Sequence, residues 1–223
     1  AVGMQDASAE SQSWSKSASK VLRMRRTDLG PAPGNPFEFS GSNAIEKRVW
    51  ARGARNPFSL SVDPVTGMMI FDDVGANHLV TPNADHNAWE ESNHVPNPGE
   101  AGFAGGAPFD FGWPTSEGTG PNLVHVYENG AANENTGGQD CAKIGGTFYR
   151  PATVTFPASY VGAYFFADFC STYIKYLPLD QQSPTTGANA VPANVASMFM
   201  PSTGVAITDL ETHPNGSIYI LGR

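Results

Sequence analysis

Short apolar runs broken by Gly and Pro dominate the chain, and no segment holds apolar residues at helical spacing for ten residues or more. Residues 58–74 read FSLSVDPVTGMMIFDDV. An apolar strand at 59–62 meets Asp63-Pro64-x-x-Gly67, and a second follows at 68–71. Asp-Pro opens a type I turn and Gly supplies the positive φ that closes it, so the pattern predicts a β-hairpin. Residues 207–221, ITDLETHPNGSIYIL, repeat it, with Pro214-Asn215-Gly216 as the turn and 217–221 as the return strand. A third hairpin-like stretch joins 163–169 (AYFFADF) to 173–177 (YIKYL). Residues 20–26, KVLRMRR, alternate apolar and basic, which predicts a half-exposed strand. Residues 45–51 predict another short strand, and 27–43, with Gly30, Pro31, Pro33, Gly34 and Pro36, predict a loop. Residues 5–19, with Ser at every odd position from Ser11 to Ser19, predict a solvated surface loop.

The two similar hairpins stand about 150 residues apart, which suits three units of roughly 50 residues. Repeated β-units with Gly-rich turns point to an all-β chain built as a β-propeller of four-stranded antiparallel blades, with a β-sandwich as the alternative. One partial propeller domain over 1–223 is expected, with 1–19 a flexible loop start and 20–223 the blades. Composition removes competing classes. Gly 24, Pro 18 and only 15% charged residues exclude a coiled coil or helical bundle. Phe 13, Tyr 7 and Trp 4 exclude a disordered acidic tail. A net charge of −8 argues against nucleic-acid binding, which needs clustered Lys and Arg. The one basic cluster, Lys20 with Arg23, Arg25 and Arg26, reads as an exposed strand edge. No apolar run approaches the ~20 residues of a membrane span. Residues 1–20 lack the basic start and apolar stretch of a signal peptide, so if the protein is exported its signal is expected upstream of this chain.

The run GARNPFSLSVDPVTGMMIFDDVGAN (53–77) resembles the glucose/sorbosone dehydrogenase family, relatives of soluble quinoprotein sugar dehydrogenases. Further matches follow in the family's order. They are Trp89-Glu90-Glu91-x-Asn93, Phe111-Gly112-Trp113-Pro114 with Glu117-Gly118, and Cys141-Ala142 with Gly145-Gly146-x-Phe148-Tyr149. Phe156-Pro157-Ala158 with 164–170 comes next, and then Thr208-Asp209-Leu210 with 214–219. The resemblance implies a six-bladed propeller, a calcium site, and pyrroloquinoline quinone (PQQ) as cofactor for oxidation of a sugar or polyol. Six blades of ~45 residues need at least about 270, so the remaining blades are expected from a longer parent polypeptide.

Such a reaction needs a base, a bound planar tricarboxylate and a polarising cation with six to eight oxygen ligands. Oxygen donors cluster at 72–93: Asp72, Asp73, Glu90, Glu91 and the carbonyls of Gly75 and Ala76. By resemblance, Gly75 and Ala76 offer main-chain oxygens to a catalytic calcium. Glu90, Glu91 and the carbonyl of Phe111 match a second, structural calcium site. Solvated loop carboxylates are the alternative for Glu90 and Glu91. An insertion at about 79–87 separates Gly75 from Trp89. Arg55-Asn56 is the expected cofactor contact, because an Arg fork suits carboxylates. The alternative is that Arg55 pairs locally with Asp72 or Asp73. Arg150 stands where relatives carry a cofactor-facing cation, against a plain surface Arg before Pro151. The family's catalytic His belongs to an upstream blade, and its cofactor-binding Arg pair is replaced here by Ala206-Ile207-Thr208. The sequence therefore names no catalytic residue.

Cys141 and Cys170 match paired positions in secreted family members. A disulfide across ~30 residues would contribute about 3 kcal/mol and place the protein outside the cytoplasm; free buried thiols are the alternative. His78, His86 and His94 recur every eight residues but fit no zinc frame, and read as loop histidines. His125 and His213 read as a strand edge and a turn. Gly102-Phe103-Ala104-Gly105-Gly106 has no helix to follow it and is not a phosphate loop. Two functions remain: quinone- and calcium-dependent oxidation within a longer protein, or a non-catalytic extracellular propeller that binds carbohydrate or protein and keeps calcium for stability.

Overall fold

Turn chemistry sets the strand pairings. The computed structural model describes residues 8–76, 89–101, 103, 105, 108–128 and 140–223. Asp63 accepts the Gly67 N–H on its carbonyl at 2.8 Å and the Val65 N–H on its carboxylate at 2.9 Å, and Gly67 takes φ 77°. This turn joins β3 (Pro57–Val62) to β4 (Met69–Asp73); these strands follow β1 (Val21–Leu22) and β2 (Val49–Arg52). The Pro214 turn does the same for β12 (Ile207–Thr212) and β13 (Ile218–Gly222), with Gly216 at φ 95°. Between them lie β5 (Trp89–His94), β6 (Phe109–Asp110), β7 (Leu123–Glu128), β8 (Lys143–Phe148), β9 (Tyr164–Asp168), β10 (Ile174–Leu177) and β11 (Ser197–Met200). All three expected hairpins form.

The strands make four sheets among the described residues: β1-β2-β6, β3-β4-β5-β7, β8-β9-β10-β11 and β12-β13. The two complete sheets are four-stranded and antiparallel. Apolar faces fill the three seams between successive sheets. Val21, Trp50 and Ala51 meet Phe71 and Val95 in the first. Ile70 and Val124 meet Phe148, Tyr164 and Phe166 in the second. Ile144, Phe165 and Ile174 meet Ile207 and Leu210 in the third. Strand β8 lies against both β3 and β12. This is part of a β-propeller, and it excludes the β-sandwich.

Three local expectations are corrected. Of residues 45–51, Glu46–Arg48 form a 3-10 turn and the strand begins at Val49. The Asn43 side chain accepts the Ile45 and Glu46 N–H groups, both at 2.9 Å, and so curls the chain. Of residues 20–26, only Val21–Leu22 enters a sheet. Lys20 is fully buried rather than on an exposed edge, with Nζ donating to the carbonyls of Glu10, Ser11 and Ala18 at 2.8, 2.8 and 2.6 Å. Residues 8–19 are no free loop either. Ser8–Ser11 form a helical turn, and Ser11, Ala18 and Ser19 are buried.

Candidate functional site

The open end of the β3–β4 hairpin builds a tight corner. Arg55 and Asn56 lie just before β3 and donate their backbone N–H groups to the two carboxylate oxygens of Asp73, at 2.8 and 2.6 Å. The Arg55 guanidinium, 3% exposed, donates to the carbonyls of Val74, at 2.9 Å, and Gly75, and lies 5.5 Å from the Trp113 ring centre. Gly75 has no room for a side chain: a Cβ there would run into the backbone of Trp89. Its N–H donates to Glu90 at 3.3 Å, and the Ala76 N–H donates to Glu117 at 3.0 Å. The sequence-predicted Arg55, Asn56, Gly75, Ala76, Glu90 and Glu91 thus converge. Asp73 does bind locally to Arg55, but through the backbone, and the guanidinium goes to carbonyls instead.

Glu90 and Glu91 are neighbours on β5, so they point to opposite faces. Glu90 reaches the next sheet and accepts the Lys143 N–H at 2.8 Å. Glu91 accepts the Gly118 N–H at 2.6 Å and the Asn93 amide at 3.0 Å. They are buried, not solvated loop carboxylates. Burial raises the pKa of Glu91. Burial and then the charge of Glu91 push Asp73 well above the usual carboxylate range. Burial, followed by Glu91 and Asp73, lifts Glu117 to about 8. Glu117 Oε2 is buried with no hydrogen-bond partner. Asp73, Glu91 and Glu117 therefore form a mutually repelling carboxylate group in which burial outweighs the attraction of Arg55 and Lys143. Its donor chemistry suits calcium, although the three are not drawn together. The one described trio with ligand atoms within 4.8 Å of one another is Cys141, Asp168 and Cys170. Glu117 lay within a motif the sequence displayed, but nothing in its spacing marked it as facing Asp73.

Phe111 lies in the first seam, its ring edge-on to Phe71 at 4.9 Å and its N–H on the Arg52 carbonyl at 3.0 Å. Arg150 is elsewhere. Its guanidinium grips Asp63 through Nε and Nη2 at 3.1 and 3.0 Å. Asp63 is 1% exposed; burial works against its charge, but Arg150 and the Val65 N–H outweigh this and hold its pKa low. Asp63 opens the turn at the far end of β3, so Arg55 and Arg150 are separated by about 20 Å of strand. They cannot close on one planar cofactor. At 206–208, Ile207 is buried and the Thr208 hydroxyl donates to the Leu221 carbonyl at 3.1 Å, so no cation stands there. Among the described residues, Arg55 and Arg150 do not form one clamp for a PQQ-sized group.

A second polar group fills the seam between the four-stranded sheets. Lys143 Nζ sits 2.8 Å from His125 Nδ1 and 4.2 Å from the Phe166 ring centre. Burial lowers Lys143 to about 7 and drives His125 well below its ordinary value. Asp72 accepts from Ser92, Tyr164 and Ser59 at 2.6, 2.8 and 3.1 Å. His125 lies on the edge strand β7, as expected, with its side chain buried beside Lys143. His94 binds the Glu100 carboxylate at 2.7 Å, while His78 and His86 lie outside the described residues, as do Gly102, Ala104 and Gly106. His213 sits in the expected turn, accepting the Asn215 N–H at 3.2 Å.

Cys141 and Cys170 are joined, with Cα atoms 5.6 Å apart. Asp168 organises the same corner: Oδ2 accepts from Tyr127 and the Cys141 and Ala142 N–H groups, and Oδ1 from the Cys170 and Ser171 N–H groups, all at 2.8–3.0 Å. Sequence reading had no means of finding this role for Asp168, whose partners lie 26 to 41 residues away on one side.

Residues 1–85 match the model of the family described as Glucose / Sorbosone dehydrogenase. No curated protein sequence matches the chain. Among solved structures, the chain is similar to the PQQ-bound form of an aldose sugar dehydrogenase from Streptomyces coelicolor: TM-score 0.60, 19% identity, 99% of this chain and 50% of that one. It is similar to an oxidoreductase (glucose dehydrogenase) from Thermus thermophilus, with TM-score 0.62, 18% identity, 98% of this chain and 54% of that one. It is also similar to the soluble aldose sugar dehydrogenase of Escherichia coli in its apo-form, with TM-score 0.59, 16% identity, 100% of this chain and 56% of that one. The chain therefore matches the family model over residues 1–85 and shares the fold of these structures over essentially its whole length. The chain spans about half the length of these structures. No helix among the described residues is long and apolar enough to cross a membrane.

Proposed function

We propose that these residues form part of a sugar-oxidising oxidoreductase of the glucose/sorbosone dehydrogenase type, active as a longer protein. The carrying observation is the Arg55–Gly75 corner, which falls inside the segment matched by the family model. Calcium suits the neighbouring carboxylates: Asp73, Glu91 and Glu117 would hold it, and it would neutralise charge and polarise a bound oxygen. The corner's own residues then act as a fixed wall. Arg55 pins the Val74 and Gly75 carbonyls, Trp113 covers the guanidinium, and Glu117 at about pKa 8 is a carboxyl able to hold a proton at neutral pH. PQQ as acceptor is part of the proposal, but its carboxylates would be held by residues outside this chain, since Arg55 and Arg150 point to different partners. The substrate is a sugar or polyol. The disulfide supports a secreted or periplasmic setting.

A second reading is a non-catalytic extracellular propeller that binds carbohydrate or protein. The commitment of Arg55 to carbonyls and of Arg150 to Asp63 favours it. The test is to supply calcium and PQQ to the longer protein and follow dye reduction with aldoses. Turnover supports the oxidoreductase; absence of quinone binding leaves the binding module.

A further inference from the structure

Residues 8–19 join no sheet, yet they touch the Arg55 corner at both ends of the segment. At one end the Ser11 hydroxyl and the Gln12 amide donate to the Trp113 carbonyl at 3.0 and 2.7 Å, and the Ser11 carbonyl accepts the Gly53 N–H at 3.1 Å. Trp113 in turn donates its N–H to the Gly53 carbonyl at 2.8 Å and lays its ring over the Arg55 guanidinium. At the other end the Ser19 hydroxyl donates to the Arg55 carbonyl at 3.2 Å. Ser19 takes φ 60°, a left-handed backbone that a side chain other than Gly keeps only where its surroundings enforce it. Gly53, at φ 79°, is where the segment comes down on the corner: a Cβ there would run into Asp110 and the Gly112 backbone and meet the Gln12 amide.

Lys20 ties these two ends together. Its Nζ has three protons and reaches three carbonyls, those of Glu10 and Ser11 at the first end and of Ala18 at the second. Burial, and then Arg52, lower its pKa to about 8, so it keeps its charge at neutral pH. Arg52 grips the first end as well: its guanidinium donates to the Gln12 carbonyl and lies 4.2 Å from the Trp14 ring centre. The bonds of Lys20 Nζ go to the segment and not to Arg55 or Trp113, so its influence on them passes through the segment.

We propose that Lys20 is a positioning residue for the Arg55 corner: its ammonium closes residues 8–19 into a loop, and the closed loop holds the Arg55 carbonyl on one side and the Trp113 cover on the other. The bearing of this clasp on catalysis rests on the sugar-oxidation reading; the clasp itself does not.

The test uses the longer protein and compares wild type with Lys20→Met, which keeps much of the side chain's volume and removes its donors. Amide exchange at Gly53 and Trp113 is expected to quicken by about tenfold or more, with exchange in the distant strand β9 unchanged. Lys16→Met, at an exposed position of the same segment, is expected to change neither. A double-mutant cycle separates positioning from plain stabilisation. In Ser11→Ala/Gln12→Ala the side chains that grip Trp113 are gone, so adding Lys20→Met is expected to alter Trp113 exchange by less than about twofold. Additive effects overturn the proposal, as does unaltered exchange in Lys20→Met. Faster exchange in β9 as well would make Lys20 a residue of global stability and overturns it too. With calcium, PQQ and an aldose, Lys20→Met is expected to lower kcat per bound quinone by about tenfold; an unchanged rate beside quickened exchange overturns the positioning role. If wild type shows no turnover, the oxidation reading falls, and the exchange results still decide the clasp.

Discussion

Replacing Asp168 tests the buried polar frame most severely. Its two oxygens accept five donors, four of them backbone N–H groups from both ends of the disulfide corner. Asp168→Ala removes the acceptor from them all. Each orphaned buried donor costs about 1–3 kcal/mol. Water re-entering the partly buried positions, and relief of the burial that raises the Asp168 pKa, recover some of this. A net loss of about 4 kcal/mol results, near the upper end for a single substitution. For a chain of this size that lowers Tm by about 12 °C. The isosteric Asp168→Asn is the sharper probe. Whichever oxygen becomes NH2, it faces at least two donors. A loss of about 3 kcal/mol is expected despite unchanged shape. Chemical denaturation of the oxidised protein at pH 7 reads both. If the Asp168→Asn variant is within about 0.5 kcal/mol of the parent in stability, the hub argument is wrong.

Three further outcomes follow from the same geometry. Removing the disulfide as Cys141→Ser/Cys170→Ser is expected to cost about 3 kcal/mol, read by urea denaturation, while native circular dichroism persists because Asp168 still holds both segments. Arg150→Ala strands the buried Asp63 and is expected to cost about 3 kcal/mol, with quinone affinity of the longer protein unchanged; weakened quinone binding at full stability would place Arg150 at the cofactor after all. Glu117 titrates near 8 in the folded chain, above its ordinary 4.5, so its contribution to stability is complete at low pH and is lost as pH rises through that window. In chelator, wild type is expected to lose up to about 1.4 kcal/mol per pH unit there relative to Glu117→Gln, and calcium to restore it at pH 8; parallel stability curves would contradict this.

The hairpins were legible because their turns use residues with fixed backbone preferences: Asp63 and Gly67, Pro214 and Gly216. The seams were not. β5 reads WEESNH, with no apolar alternation, yet Glu90 through His94 are all buried. Its carboxylates are satisfied by main-chain donors on other segments, which leave no local trace. Lys20 failed for the same reason, since its partners are carbonyls brought in by the fold. The candidate corner was legible as far as adjacency went, for Arg55, Gly75 and Glu90. Arg150 was not, because its partner Asp63 is 87 residues away and the motif carried no sign of which end of β3 it would reach.

The most direct measurement is PQQ- and calcium-dependent dye reduction by the longer protein with an aldose, comparing wild type with Arg55→Ala and Arg150→Ala. The account predicts turnover in wild type, a loss of at least about a hundredfold when the Arg55 corner is opened, and a near-wild-type rate in Arg150→Ala below its melting point. Wild-type protein that binds no quinone and reduces no dye would contradict it.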